Sequence, residues 1–223
     1  MAKFYGVGVG PGESGLLTLK AVKILKNADV IAVPSAGGAR TAFDTAKEFI
    51  DENKVLDCAV PMTKDKARLG AAYKKIADDI ETRLKAGRDT AFITLGDPSV
   101  YSTYTRVRDI LTKRGYACET VPAVTSFCAA AARLETTLCE GDEPLIIIPA
   151  GCKDIDSLLD QSGTKVIMKS GGKLGEIKAL LSEKGLAGRA VMVEKCGMDG
   201  EKIYTDIETA GSDKSYFSVI IVR

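Results

Sequence analysis

Short apolar runs alternate with segments of helical period through the first half of the chain. FYGVGVG (residues 4–10), DVIAVP (29–34), KVLDCAVP (54–61), TAFITLGD (90–97) and YACETVP (116–122) read as strands. Between them, residues 16–28 place Leu17, Ala21, Ile24, Leu25 and Ala28 on one helical face, and residues 41–50 also read as a helix. Leu69, Tyr73, Ile76, Ile80 and Leu84 make one face of a longer helix, with Gly87 at its C-terminal end. PSVYSTYTRVRDILTKRG (98–115) predicts a helix with Val100, Tyr104, Val107 and Leu111 on one side. Strands and helices in this order predict an α/β fold with a parallel sheet.

The pattern changes in the second half. Residues 125–134 read as a small-residue helix, and strand-like runs follow at 144–150, 164–170 and 189–197, with short helices between them. The last two strand-like runs, EKIYTDIET and SYFSVIIVR, have no helix between them and predict an antiparallel hairpin. We therefore expect two α/β domains, residues 1–117 and 118–223. A ligand is expected between them, at the carboxyl ends of the first domain's strands.

Composition narrows the chemistry. The net charge is +1, so no global field draws the chain to nucleic acid or to an anionic membrane. No apolar run approaches the ~20 residues of a membrane span, and no signal peptide is visible. The six cysteines are irregularly spaced with no CxxC pair, which fits reduced thiols in a cytoplasm. Histidine is absent, which removes a Ser-His-Asp or Cys-His system and the commonest transition-metal ligand. We expect no metal.

The first strand runs into a glycine-rich turn, GVGVGPGESG. A strand-to-helix turn of this kind exposes backbone N–H groups to a ligand. The dinucleotide fingerprint GxGxxG matches by letter at Gly10, Gly12 and Gly15. Pro11 removes a donor between the first two, and no ribose-binding acid ends the second strand, which closes with Val33, Pro34 and Ser35. The phosphate loop GxxxxGK[ST] fails, because Leu16 and Leu17 follow Gly15. In the second informative stretch, TLGDPSVYSTY, Asp97 stands where it could cap a helix opened by Pro98. In the third, ETVPAVTSFCAAAA, Thr125 or Ser126 is a ready cap for the alanine-rich helix.

Taken together and in order, GVGVGPGESGLLTLKA, LGDPSVYSTY and VPAVTSFCAAAARL resemble the tetrapyrrole (class III) S-adenosylmethionine methyltransferases. The resemblance covers the whole chain. The second and third stretches look most like the precorrin-2 or cobalt-factor II C20-methyltransferases of cobalamin biosynthesis. Leu95 and Ala123 depart from the GGDP and PG forms of other branches.

The resemblance implies the tetrapyrrole methylase fold, with S-adenosylmethionine held in a cleft between the domains, largely by backbone. Carried over by motif, the cofactor residues are Pro11, Leu95, Gly96, Asp97, Val100, Ser102, Thr103, Thr125 and Ser126. Met168 and Gly197 match weaker motifs of the second domain. A polycarboxylate macrocycle needs local cations, for which Arg40, Lys64, Lys66, Arg68, Arg106 and Arg133 are candidates. The loop after the second strand, VPSAGGAR, lacks the acid that some relatives place there, so no catalytic residue is assigned. The resemblance also implies a homodimer with a tetrapyrrole as its small-molecule partner, while composition points to a cytoplasmic protein without nucleic acid or membrane. Three other readings stay open: methylation at another ring position, a non-catalytic tetrapyrrole carrier, and a nicotinamide-dependent oxidoreductase.

Overall fold

The computed structural model describes residues 2–211 and 216–223. The chain divides into two compact units, Met1–Thr125 and Ser126–Arg223.

In the first unit the elements run β1 (Phe4–Gly8), α1 (Leu19–Asn27), β2 (Val30–Ser35), α2 (Thr41–Ala46), β3 (Val55–Ala59), α3 (Lys66–Lys85), β4 (Thr90–Thr94), α4 (Tyr104–Lys113) and β5 (Cys118–Val121). The five strands form one parallel sheet in the order β3-β2-β4-β1-β5. All five residues of β4 are buried, as its central place requires. One sheet face packs Val7, Ile31, Val33 and Ile93 against Ala21 and Leu25 of α1 and Ala42, Phe43 and Ala46 of α2. The other packs Phe4, Ala32 and Phe92 against Ile76, Ile80 and Leu84 of α3 and Tyr104, Val107 and Leu111 of α4.

The strand order bears on the dinucleotide reading. The Rossmann order sets the first two strands side by side, with the pyrophosphate at their turn. Here β4 lies between β1 and β2, so the letter match at Gly10, Gly12 and Gly15 is not on that scaffold.

The sheet also decides where the first unit ends. The sequence places the domain change at 117/118, but β5 pairs in parallel with β1, from Phe4↔Cys118 to Val7↔Val121. The first unit therefore extends through Thr125.

The second unit holds α5 (Ser126–Arg133), β6 (Leu145–Pro149), α6 (Ile155–Leu159), β7 (Thr164–Met168), α7 (Leu174–Glu183), β8 (Ala190–Glu194), β9 (Lys202–Tyr204) and β10 (Ser218–Val222). Its sheet is mixed, in the order β6-β7-β10-β8-β9. The expected hairpin between the last two runs is not formed. Instead β9 pairs antiparallel with β8, and β10 inserts antiparallel to both β7 and β8. Burial explains the choice: every residue of SVIIV is buried, while KIY is largely exposed and suits an edge. Ser215, the first residue of the run SYFSVIIVR, lies outside the described residues.

Two helix boundaries also differ. Residues 41–50 split into α2 and a 3₁₀ turn at Lys47–Phe49. The segment from Pro98 does not begin a helix; α4 starts at Tyr104, and Val100 is not on it. Tyr101 interrupts helical geometry with a φ of 50°.

Close packing of β1 on α4 depends on Gly6. A Cβ there would lie 2.2 Å from two ring carbons of Tyr104. That ring is fully buried, with Phe4 at 5.5 Å and Phe92 at 6.4 Å. We expect Gly6→Ala to destabilise the fold by about 1–3 kcal/mol, as overpacking does. Gly70, within α3, has nothing within 4 Å of a Cβ. Gly70→Ala should instead stabilise by about 0.5–1 kcal/mol. Thermal unfolding of both variants checks this, and equal shifts would contradict it.

Candidate functional site

Parallel strands deliver all their following loops to one edge of the sheet. The loops after β1, β4 and β5 are physically tied there. Val9 N–H donates to the Thr94 carbonyl at 3.0 Å, and Gly96 N–H donates to the Gly10 carbonyl at 2.7 Å. Gly10 and Gly96 form an isolated antiparallel bridge. Gly8 lies where the three loops meet. A Cβ there would fall 2.5 Å from Ala123 Cβ, 2.7 Å from the Gly96 carbonyl oxygen and 2.8 Å from Pro98 Cδ.

Asp97 fastens the junction. Its Oδ1 accepts Ser99 N–H at 2.8 Å and the Ser99 hydroxyl at 2.5 Å, and its Oδ2 accepts Ala123 N–H at 2.7 Å. The side chain is thus no helix cap: it closes a tight turn and reaches across to the loop after β5. Burial pushes its pKa up, but the Ser99 hydroxyl and the Ala123 and Ser99 amides outweigh that and hold it below the ordinary carboxylate value. Ser102 supplies the helix start instead. Its Oγ accepts Tyr104 N–H at 3.1 Å and shares a hydrogen bond with the Thr94 hydroxyl at 2.8 Å.

Gly96 has a φ of +70°, and a Cβ there would meet nothing within 4 Å. This position therefore needs glycine for conformation and faces open space. Leu95 and Val100 are half-buried beside it, and Thr103 immediately precedes α4. Pro11 is buried in the turn after β1. Thr125 closes the third loop, and its Oγ1 is buried with no hydrogen-bond partner among the described residues. Its hydroxyl is therefore not spent as the cap that the sequence offers.

The first unit thus brings Pro11, Leu95, Gly96, Asp97, Val100, Ser102, Thr103 and Thr125 to loops at one edge of its sheet. Ser126 opens α5, Met168 ends β7, and Gly197 follows β8 with a φ of 72°; these three belong to the second unit. Gly197 N–H donates to Glu201 at 2.6 Å.

Two of the six basic candidates already face carboxylates. Arg40, after β2, is paired with Asp57 at 2.6 Å and lies over the Phe43 ring. Arg133, in the second unit, has Nε 3.3 Å from Glu201. Lys64, Lys66 and Arg68 are exposed around the start of α3, and Arg106 is exposed in the first turn of α4. Among the described residues these last four have no ion-pair partner. Ser99 and Ala123, which complete the Asp97 tie, were missed as functional positions in the sequence. The only available signal was the recurrence of small residues in both motifs.

The chain matches the family model for tetrapyrrole (corrin/porphyrin) methylases over residues 3–211. It is 32% identical to a cobalt-precorrin-2 C(20)-methyltransferase of Salmonella typhimurium, covering 99% of this chain and 96% of that protein. It is 41% identical to a probable cobalt-precorrin-2 C(20)-methyltransferase of Methanocaldococcus jannaschii, over 75% of this chain and 72% of that protein. Among solved structures, a cobalt precorrin-4 methyltransferase superposes with a TM-score of 0.78 at 22% identity, covering 99% of this chain and 94% of the other. The fold is therefore shared, and the chain belongs to the tetrapyrrole (corrin/porphyrin) methylase family.

Proposed function

We propose that the protein transfers a methyl group from S-adenosylmethionine to the C20 meso carbon of precorrin-2 or cobalt-factor II, a step of cobalamin biosynthesis. The observation that carries this is the meeting of three motif loops at one sheet edge. The near-full-length relative whose printed name is a cobalt-precorrin-2 C(20)-methyltransferase supports the ring position.

The residues present fit such a donor on structural grounds. Thr125 Oγ1 is a buried oxygen with an unused hydrogen bond, and Gly96 presents backbone to open space. Pro11, Leu95, Val100, Ser102 and Thr103 would complete the first unit's contribution to holding the donor, with Ser126, Met168 and Gly197 proposed from the second. When bound, S-adenosylmethionine would supply an already electrophilic methyl group, which the ring carbon would take up with release of the neutral thioether, S-adenosylhomocysteine. The chain's own work is then proximity and orientation, which can be worth roughly 7–11 kcal/mol. Asp97 contributes by holding the loops after β4 and β5 in one register, which makes it a positioning residue. The proton later lost from the ring can pass to water or a nearby carboxylate or phenol.

Substrate carboxylates would meet exposed cations. Lys64, Lys66, Arg68 and Arg106 are better placed than Arg40 and Arg133, whose charges already face carboxylates. We also propose a cytoplasmic homodimer that binds neither membrane nor nucleic acid. Among the described residues no helix is long and apolar enough to cross a membrane. A monomer mass by light scattering at micromolar concentration would remove the dimer.

Incubation with S-adenosylmethionine and precorrin-2 or cobalt-factor II should yield one new methyl at C20, located by mass spectrometry and NMR. A methyl elsewhere would move the enzyme to another step, and macrocycle binding without transfer would make it a carrier. Neutralising Lys64, Lys66, Arg68 and Arg106 singly should weaken the macrocycle's KM for at least one variant and spare cofactor affinity. Four unchanged values would place the substrate's carboxylates against other residues.

Gly96→Val should abolish cofactor binding in calorimetry while the protein still folds, at a strain of roughly 1–3 kcal/mol. Normal binding by that variant would take the loop out of the site. Asp97→Asn should cost about 1–3 kcal/mol near neutral pH, because buried donors lose a charged acceptor. Its folded pKa is lowered, so the stabilisation is present above the unfolded value of about 3.9 and disappears as pH falls through the folded one. The difference in unfolding free energy between wild type and variant should therefore shrink on acidification. A gap independent of pH would show that the Asp97 charge is not what ties the loops.

A further inference from the structure

The strand order divides the loop-bearing edge of the first sheet into two halves. In the order β3-β2-β4-β1-β5, the three motif loops follow the strands at one end, β4, β1 and β5. The loops after β2 and β3 lie side by side at the other end and are tied to each other. Val60 N–H donates to the Ser35 carbonyl at 2.8 Å, and Arg40 is paired with Asp57 at 2.6 Å. The loop after β2 reverses in two residues. Ala36 and Ala39 exchange backbone hydrogen bonds at 3.2 and 3.1 Å across Gly37 and Gly38, whose φ values are 59° and 87°. So short a turn needs positive φ at both central positions, and glycine provides it.

Met62, in the loop after β3, lies against that turn. A Cβ at Gly37 would fall 3.3 Å from its sulfur, yet the residue is 80% exposed. Single apolar residues are ordinary on a protein surface. Two features set this one apart. The tip beside it is bare backbone, and a Cβ at Gly38 would meet nothing within 4 Å. The residues that follow are cationic: Lys64, Lys66 and Arg68 are exposed, and among the described residues they have no ion-pair partner. The carboxylates close by in sequence are already engaged. Asp57 holds Arg40, and Asp65 Oδ1 accepts Ala67 N–H at 2.8 Å and Arg68 N–H at 3.2 Å. An apolar spot on a fixed base, followed by free cations, suits a ligand with an apolar face and an anionic rim.

We infer that Met62 contacts the apolar face of the tetrapyrrole macrocycle, so that the β2 and β3 half of the sheet edge receives the methyl acceptor while the motif half receives the donor. This rests on the methyl-transfer reading. A thioether is polarizable and unbranched, and it adapts to a conjugated surface. Lys64, Lys66 and Arg68 stand two, four and six positions further on, where they can meet carboxylates at the rim. Met62 takes no part in bond making; its role is binding and orientation.

The test uses Met62→Ser and Met62→Leu in the full-length protein. Melting temperature, S-adenosylhomocysteine affinity, and the binding and methylation of precorrin-2 and cobalt-factor II are measured for each. Met62→Ser should melt within about 2 °C of wild type, as exposed substitutions do. It should keep cofactor affinity and weaken macrocycle binding by about threefold to tenfold, the range of sulfur–aromatic contacts. Met62→Leu should stay within about twofold of wild type, since its apolar volume is similar. In protein labelled with carbon-13 at the methionine methyls, the signal absent from Met62→Leu identifies Met62. It should move on adding precorrin-2 and stay in place on adding S-adenosylhomocysteine alone. If wild type methylates the macrocycle but the signal is unmoved by precorrin-2, or Met62→Ser binds the macrocycle equally well, the contact is overturned while the function stands. A serine variant that loses stability and cofactor affinity together would make Met62 a structural residue and also overturn the inference. If wild type binds S-adenosylhomocysteine but neither macrocycle, the function and the inference both fall.

Discussion

The structure depends on one close approach of backbones. At Gly8 the chain leaving β1 passes the Gly96 carbonyl, Pro98 and Ala123 at distances no side chain permits. Only then can Gly96 N–H reach the Gly10 carbonyl and bridge the first two motif loops. The requirement propagates outward. Gly6, two residues earlier, lets the Tyr104 ring come close against β1, and its phenol anchors α4 through the Thr120 hydroxyl at 3.1 Å. The edge of the sheet is thus shaped by what is missing from β1.

A second constraint is electrostatic and local. Taking a carboxylate out of water is costly unless hydrogen bonds replace its hydration. Asp97 is 8% exposed and recovers that cost through two amides and a hydroxyl. The arrangement converts an ordinary turn residue into a tie between loops distant in sequence. It also explains why the chain enters α4 six residues after Pro98: the intervening residues form the anchored loop that ends at Ser102.

A site built this way suits chemistry in which the donor brings its own reactivity. Backbone geometry, glycine conformations and one buried tie set the positions, and the chain contains no histidine. The cations that could meet a polyanionic substrate lie on exposed loops and helix starts, where solvent screening keeps each contribution small. Arg40 shows the difference context makes: its pairing with Asp57 turns a candidate ligand into a surface ion pair.

Much of this was legible in the residues themselves. The strands of the first unit follow from short β-branched runs, and the helical face of α3 from the spacing of Ile76, Ile80 and Leu84. The three glycine- and small-residue-rich motifs point to the family by themselves. Local periodicity reports how much of a segment is buried, and it is silent about the neighbour that buries it. Tertiary structure alone therefore decided that β4 separates β1 from β2, that β5 belongs to the first sheet and that β10 enters between β7 and β8. The same holds for Asp97 and Tyr101. A carboxylate whose partner is 26 residues away looks like a helix cap in sequence, and a strained φ is invisible in it. Sequence determined which residues could bend, bury or bond, and only the assembled sheet determined which partners they found, because partners are chosen by the packing of segments far apart in the chain.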